Sequence, residues 1–309
     1  MLFVIYINDL PERLINESKL FADNSKIIAI LNESLRNNSL QDDINAVTDW
    51  THEWLMRLNA LKCRITHFGK ANSGFTDYTI EDVSTGDRIP LEVSDFERDL
   101  GVYVSSDLKW NKHVQTIASK ANRVLGMLAR TFSSRDVSLW KTLYVSLVRP
   151  HLEFASTVWN PYLKCDIEAI EKVQKRATKI PFSLRNLTYD KRLEKWGLTT
   201  LEERRKRGDL IQMFKFSNGL ELIDWYSGPQ VAPASQTRGS SMNKYRLVRE
   251  SFPSKICNDH GHFVSVRNNF FLNRVVESWN ELNNYHIESP SLNSFKARVD
   301  SIPVKAAIA

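Results

Sequence analysis

Seven apolar residues between Val114 and Leu128 constrain the middle of this chain more than any other feature. Val114, Ile117, Ala118, Ala121, Val124, Leu125 and Leu128 follow one another at steps of 3, 1, 3, 3, 1 and 3. That is the spacing of one helical face, and no strand can present it. Lys112, Lys120, Arg123 and Arg130 fall off the stripe. The pattern then repeats. Asp136 to Val148 predicts a second helix, ended or kinked at Pro150. Asp166 to Lys179 predicts a third, with Ile167, Ile170, Val173 and Ala177 inward and Lys172, Lys175, Arg176 and Lys179 outward. Thr200-Leu201-Glu202-Glu203 is a capping-box pattern opening a fourth, which carries Arg204, Arg205, Lys206 and Arg207. Residues 106–215 therefore read as a helical bundle with a basic exterior.

Before Leu108 the period differs. Val4, Ile5, Ile7 and Leu10 suggest a strand or a buried helix, closed by the turn residues of "NDLP". "KLFADNSKI" (19–27) reads as a hairpin with a two-residue Asp23-Asn24 turn, and Ile27 to Leu31 as a strand covered on both faces. Leu40, Ile44, Val47, Trp54, Leu55 and Leu58 form one helical stripe with Ser39 as N-cap. Strands are expected in "KCRITHFGK" (62–70), on either side of the Thr85-Gly86-Asp87 turn, and at "LGVYV" (100–104). Residues 1–105 are thus an α+β layer. Residues 216–309 form a small, mainly helical C-terminal region, with Phe271, Val275, Trp279 and Leu282 on one helix and Leu292, Phe295 and Val299 on another. Residues 228–243, rich in small and turn-forming residues, read as a linker or long loop.

Charge is distributed unevenly. Residues 1–105 carry a net −7, residues 106–215 a net +11 and residues 216–309 a net +2. An acidic segment followed by a strongly basic one points to a polyanion facing the middle of the chain. Three widely spaced cysteines (Cys63, Cys165, Cys257) imply no disulfide framework, so an intracellular setting, nuclear or cytoplasmic, is expected. No apolar run approaches the ~20 residues of a membrane span.

Two acids on a β-turn can hold a pair of divalent cations around a triphosphate. The turn in "FADN" offers one carboxylate, Asp23, and one neutral amide, Asn24. Asp-Asn is also simply a good hairpin pair. Residues 257–262, "CNDHGH", hold three potential metal ligands within six residues, but no second cluster completes a tetrahedral zinc site. His113 and His151 read as helix-packing residues, and Trp159 as a packing residue that could instead stack on a base.

A resemblance sharpens these readings. "FVIYINDLP", "KLFADNSKI", "WTHEWLMRLNALKCRITHFGK" and "LGVYVSSDLKWNKHV" follow in order, then "LYVSLVRPHLEFASTVWNPY", "IEKVQKRATKI" and "LEERRKRGDLIQMFK", and last "FFLNRVVESWNEL" with "FKARV". Together they resemble the reverse transcriptases of non-LTR, LINE-like retrotransposons of the jockey kind, over nearly the whole chain. The resemblance implies an RNA-directed DNA polymerase (a nucleotidyltransferase) with a right-hand fold: a partial palm at 1–105, a helical thumb at 106–215 and a C-terminal region. It places Asp23 at the first acid of the palm's metal-holding turn, with Mg²⁺ as the family's cofactor. Asn59 and Lys62 match the neighbouring "N..K" block, where the lysine can assist the leaving pyrophosphate. The thumb is expected to follow an RNA–DNA or RNA template–primer backbone through Lys112, Lys120, Arg123, Lys172, Lys175, Arg176, Lys179 and the 204–207 cluster.

The departures point the other way for catalysis. Asn24 stands where the second acid is expected, and the family's further aspartate belongs to a strand preceding "YINDLP". Asp9 matches the "INDLP" turn and cannot replace it. A two-metal site is incomplete, so catalysis by this chain alone is not expected. The alternatives are a non-catalytic protein–protein module, for example one docking on a complementary polymerase fragment, or a decaying reading frame without selected function.

Overall fold

The computed structural model describes residues 6–30, 39–56, 58–68, 77–82, 85–225, 227–232, 244–250 and 266–302. The architecture is α+β, helices with short two-stranded ladders. The chain divides into two compact units, Met1–Arg98 with Ser105–Leu108, and Asp99–Val104 with Lys109–Ala309.

The first unit is built around one helix. A 3₁₀ turn, Leu10–Arg13, leads into strands Glu17–Phe21 (β1) and Asn24–Ile28 (β2), followed by helix Ser39–Glu53 (α1). On one side α1 packs Trp50 and Val47 against Ile7, Leu10 and Leu20. On the other it packs Ile44 and Leu40 against Tyr78 and Ile80. Strands Arg64–Ile65 (β3), Thr79–Glu81 (β4), Arg88–Pro90 (β5) and Glu92–Val93 (β6) complete this second small core, with β4 antiparallel to β5 and β3 parallel to β6. Gly86, at φ 76°, takes the left-handed turn position before β5.

Three features differ from expectation. The hairpin register pairs Phe21 with Asn24, so the two-residue turn is Ala22-Asp23 and not Asp23-Asn24. Ala22 takes φ 52°, a left-handed cost that the short connection imposes. Ile28 and Ile30 are exposed, so the strand has no cover on both faces within this unit. Helix α1 stops at Glu53, before Trp54, Leu55 and Leu58. Met56 N–H donates to Thr51 O (2.8 Å) and Leu55 N–H to His52 O (3.2 Å), a Schellman ending with Leu55 at φ 51°.

Strands Phe96–Asp99 (β7) and Val102–Ser105 (β8) lie where the chain passes between the units. In the second unit, helix Asn111–Thr131 (α2) buries Val114, Ala118, Ala121, Leu125 and Leu128. Helix Val137–Leu143 (α3) does not break at Pro150. The backbone widens into a π-turn over Tyr144–Val148, Arg149 N–H reaches Tyr144 O at 2.8 Å, and Pro150–Glu153 (α4) continues. A proline has no N–H to donate, and the five-residue spacing accommodates that gap. Short helix Ser156–Trp159 (α5), helices Lys164–Ala177 (α6), Tyr189–Trp196 (α7) and Leu201–Ser217 (α8) close a core around Trp140, Tyr144, Trp159 and Trp196.

Helix α8 belongs to two cores. Leu201 packs into the first, while Leu210, Met213 and Phe214 pack into a second with Phe271, Val275, Trp279 and Phe295. The latter residues come from helices Phe271–Asn280 (α9) and Leu292–Asp300 (α11), with Asn284–Ile287 (α10) between them. Strands Gln230–Val231 (β9) and Leu247–Val248 (β10) pair antiparallel beside α9. Residues 233–243 of the expected linker and the Cys257–His262 cluster lie outside the described residues.

Candidate nucleic-acid interface

The expected basic residues separate into two groups with different fates. On α2, a turn of ~3.6 residues places Lys112, Arg123 and Arg130 in one line opposite the buried face. Lys120 lies toward the flank of α4, where burial first and the Lys120 charge second hold His151 below the usual imidazole range. Toward the other flank, Asn122 Oδ1 accepts from Arg176 Nη1 of α6 at 3.2 Å. The two helices pack along each other. Helix α6 buries Ile170, Val173, Gln174 and Ala177, which turns Lys172, Lys175 and Arg176 outward. Lys179, just past its end, is exposed as well. Lys175 Nζ lies 5.2 Å from the Tyr189 ring centre. Lys120, Arg123, Lys172 and Lys179 have no acidic partner among the described residues.

The 204–207 run is occupied by partners within the chain. Arg204 forms a forked pair with Glu153, and Arg207 another with Asp300 at 2.5 and 2.8 Å. Lys206 pairs with Glu202 at 3.1 Å. Arg205 is 1% exposed, its Nε donating to Asn160 Oδ1 at 2.9 Å, while Nη1 and Nη2 find no hydrogen-bond partner among the described residues. Arg205 is therefore not part of a basic exterior. The cause is legible in spacing: it stands four residues after the buried Leu201, on the inward face. Tests of the interface belong on α2 and α6.

Trp159 is fully buried and donates from Nε1 to Phe154 O at 2.7 Å, so no base can reach its ring. His113 is 1% exposed and rests on Trp159 at 4.8 Å between ring centres. Its Nδ1 accepts from Tyr103 N–H at 3.2 Å, and burial lowers its pKa to about 4.

At the hairpin, Asp23 and Asn24 are both exposed. Lys62 is exposed at the end of the 3₁₀ turn Ala60–Lys62, whose N-cap is Asn59. No hydrogen bond or ion pair joins Asp23 to Lys62 among the described residues. No group of three His, Cys, Asp or Glu side chains suited to a metal occurs among them either. One carboxylate beside one amide falls short of the anionic oxygens that two Mg²⁺ ions require. Asp9 has a structural use, accepting from Trp50 Nε1 at 2.8 Å. Asp43, which spacing did not single out, is buried and accepts from the Ile15 and Asn16 backbone N–H groups at 2.7 and 3.0 Å, fastening the hairpin's entry to α1.

Two further networks escaped the sequence. Asn160 Nδ2 donates to Asp209 Oδ2 at 3.1 Å, and Asp209 also receives Arg274 from α9. Glu171 on α6 accepts from Leu201 N–H at 3.0 Å and from the Tyr189 hydroxyl. Burial first, then the bond to Glu171, push that hydroxyl above the ordinary phenol range. Gln174 closes the network by accepting from Tyr144 at 2.7 Å.

An uncharacterized protein of Caenorhabditis elegans is 29% identical over 110 residues, 35% of this chain and 56% of that protein. The match spans little more than half the relative's length. No family model matches the chain. No solved structure matches it. Among the described residues, no helix is long and apolar enough to cross a membrane.

Proposed function

We propose that this chain is the template–primer-holding part of a reverse transcriptase of the non-LTR retrotransposon type, comprising the end of a palm, a thumb and a C-terminal region. In this reading it grips a nucleic-acid backbone and does not polymerise by itself. The observation that carries the binding half is the contrast just described. Equally basic segments differ in fate, and Lys120 and Arg123 on α2, Lys172 on α6 and Lys179 just past its end stand without acidic partners among the described residues. Cations held that way on two adjacent helices suit a row of phosphates. Asn24 in place of a second carboxylate supports the absence of catalysis.

Titration of a labelled RNA–DNA hybrid across a salt series tests it. Contact with about five phosphates gives a slope of log K against log salt of roughly −4 to −5. A nearly flat dependence sinks the binding reading. Template-directed synthesis by the purified chain with Mg²⁺ sinks the inactive one.

One observation favours a second role, docking on a complementary polymerase fragment. The β1–β2 hairpin exposes Phe21 (61%) and Ile28 (44%), as an incomplete sheet would. Salt-insensitive association without any shift of the hybrid would select that role.

A further inference from the structure

Past the end of α6 the chain holds an aromatic ring among cations. Phe182 opens the 3₁₀ turn Phe182–Leu184 and leaves 65% of its surface in water. Pro181 and Leu184 on either side are buried, so the turn is anchored while the ring stands clear. The Arg185 guanidinium lies over the ring, 5.0 Å from its centre, covering one face and leaving the other open. Lys179 stands three residues earlier, at most about 11 Å away along the backbone. Neither Lys179 nor Arg185 has an acidic partner among the described residues.

Other cation-covered rings lack this combination. Arg267, over Phe270, is held by Glu250. Arg298, over Tyr285, donates to Tyr285 O and Ser289 Oγ. Tyr189, beneath Lys175 and Arg192, has its hydroxyl engaged by Glu171 and Gln174. Phe182 is the ring whose open face and surrounding charge both suit an anionic partner that carries flat π-systems.

We propose that Phe182, backed by Arg185, is a stacking platform for an unpaired nucleobase, and that Lys179 and Arg176 hold the phosphates leading to it. The inference rests on the nucleic-acid reading above and adds to it a preference for a single-stranded extension next to the duplex. Any base can stack on such a ring, so the preference is for an unpaired state and not for a sequence.

Fluorescence anisotropy with the full chain and three RNA–DNA hybrids tests this: one blunt, one with a four-nucleotide extension, and one with an abasic extension of equal length. The abasic strand keeps the phosphates and removes the bases. The natural extension should bind roughly tenfold more tightly than the abasic one, the contribution of about one stacked base. Phe182→Ala should erase that difference and leave blunt-hybrid affinity unchanged, Phe182→Trp should retain it, and Phe182→Leu should not. Equal binding of natural and abasic extensions, or an unaltered preference in Phe182→Ala, overturns the platform while the backbone reading survives. Failure of all three hybrids to bind overturns both. Because Phe182 is largely solvated, an unchanged thermal midpoint checks that each variant folds.

Discussion

Arg274 of α9 clasps Asp209 of α8 through two hydrogen bonds, Nε to Oδ2 at 2.8 Å and Nη2 to Oδ1 at 2.9 Å, with both side chains nearly out of water. Arg274 Nη2 also donates to Thr157 O, and Asn160 donates to Asp209 from the segment that follows Trp159. Three segments, α8, the stretch after Trp159 and, from beyond the linker region, α9, thus meet at one carboxylate. A buried pair of this kind is weak evidence of net stability, but breaking it leaves an uncompensated charge.

Arg274→Ala should therefore destabilise the chain by about 3–5 kcal/mol. The double variant Arg274→Met, Asp209→Leu should cost much less than Arg274→Met and Asp209→Leu added together. Urea unfolding of these variants and the wild type measures both. Additive losses would mean that the pair is not coupled.

Acid should weaken the fold through His113. Its folded-state pKa, lowered by burial to about 4, lies below the ordinary value of 6.5. The unfolded chain then takes up a proton before the folded one does. The contribution is whole above pH 6.5 and is lost as pH falls towards about 4, on the order of 3 kcal/mol in all. Wild type should lose more stability than His113→Gln across that window. Parallel curves would remove His113 as the cause.

Leu55 is 91% exposed, yet it occupies a left-handed C-terminal position that glycine fills without steric cost. Leu55→Gly should raise stability by about 1 kcal/mol, because the strain relieved at φ 51° exceeds the loss of an apolar contact that is barely made. Thermal unfolding of the first unit within the intact chain reads this directly, and a fall in midpoint would contradict it.

Charge reversals should separate the two basic groups. Lys120→Glu, Arg123→Glu and Lys172→Glu should each weaken hybrid binding, and each truncation to Ala should reduce the salt slope by about 1. Arg207→Ala, which removes a cation already paired with Asp300, should instead leave the slope unchanged.

A second acid at the hairpin should not confer polymerase activity. Asn24→Asp supplies a second carboxylate at the exposed start of β2, but no third metal-ligating group accompanies it among the described residues. Primer extension with Mg²⁺ should stay at background; measurable synthesis by that variant would show that the donor set was sufficient.

Local rules made part of this molecule legible from residues alone. The stripe from Val114 to Leu128 specified α2, since burial of one face needs only helical spacing. Thr200 and Glu203, three residues apart, cap α8 reciprocally, as their spacing requires. Gly86 took its turn because only a residue without Cβ adopts that backbone freely. Tertiary structure decided the rest. "RRKR" is basic by composition, but Glu153, Asn160 and Asp300 lie 51, 45 and 93 residues away from the arginines they engage. No local period records such partners. Solvent exposure of a charge depends on what the fold brings against it, and that was settled only when α8 came to lie between two cores.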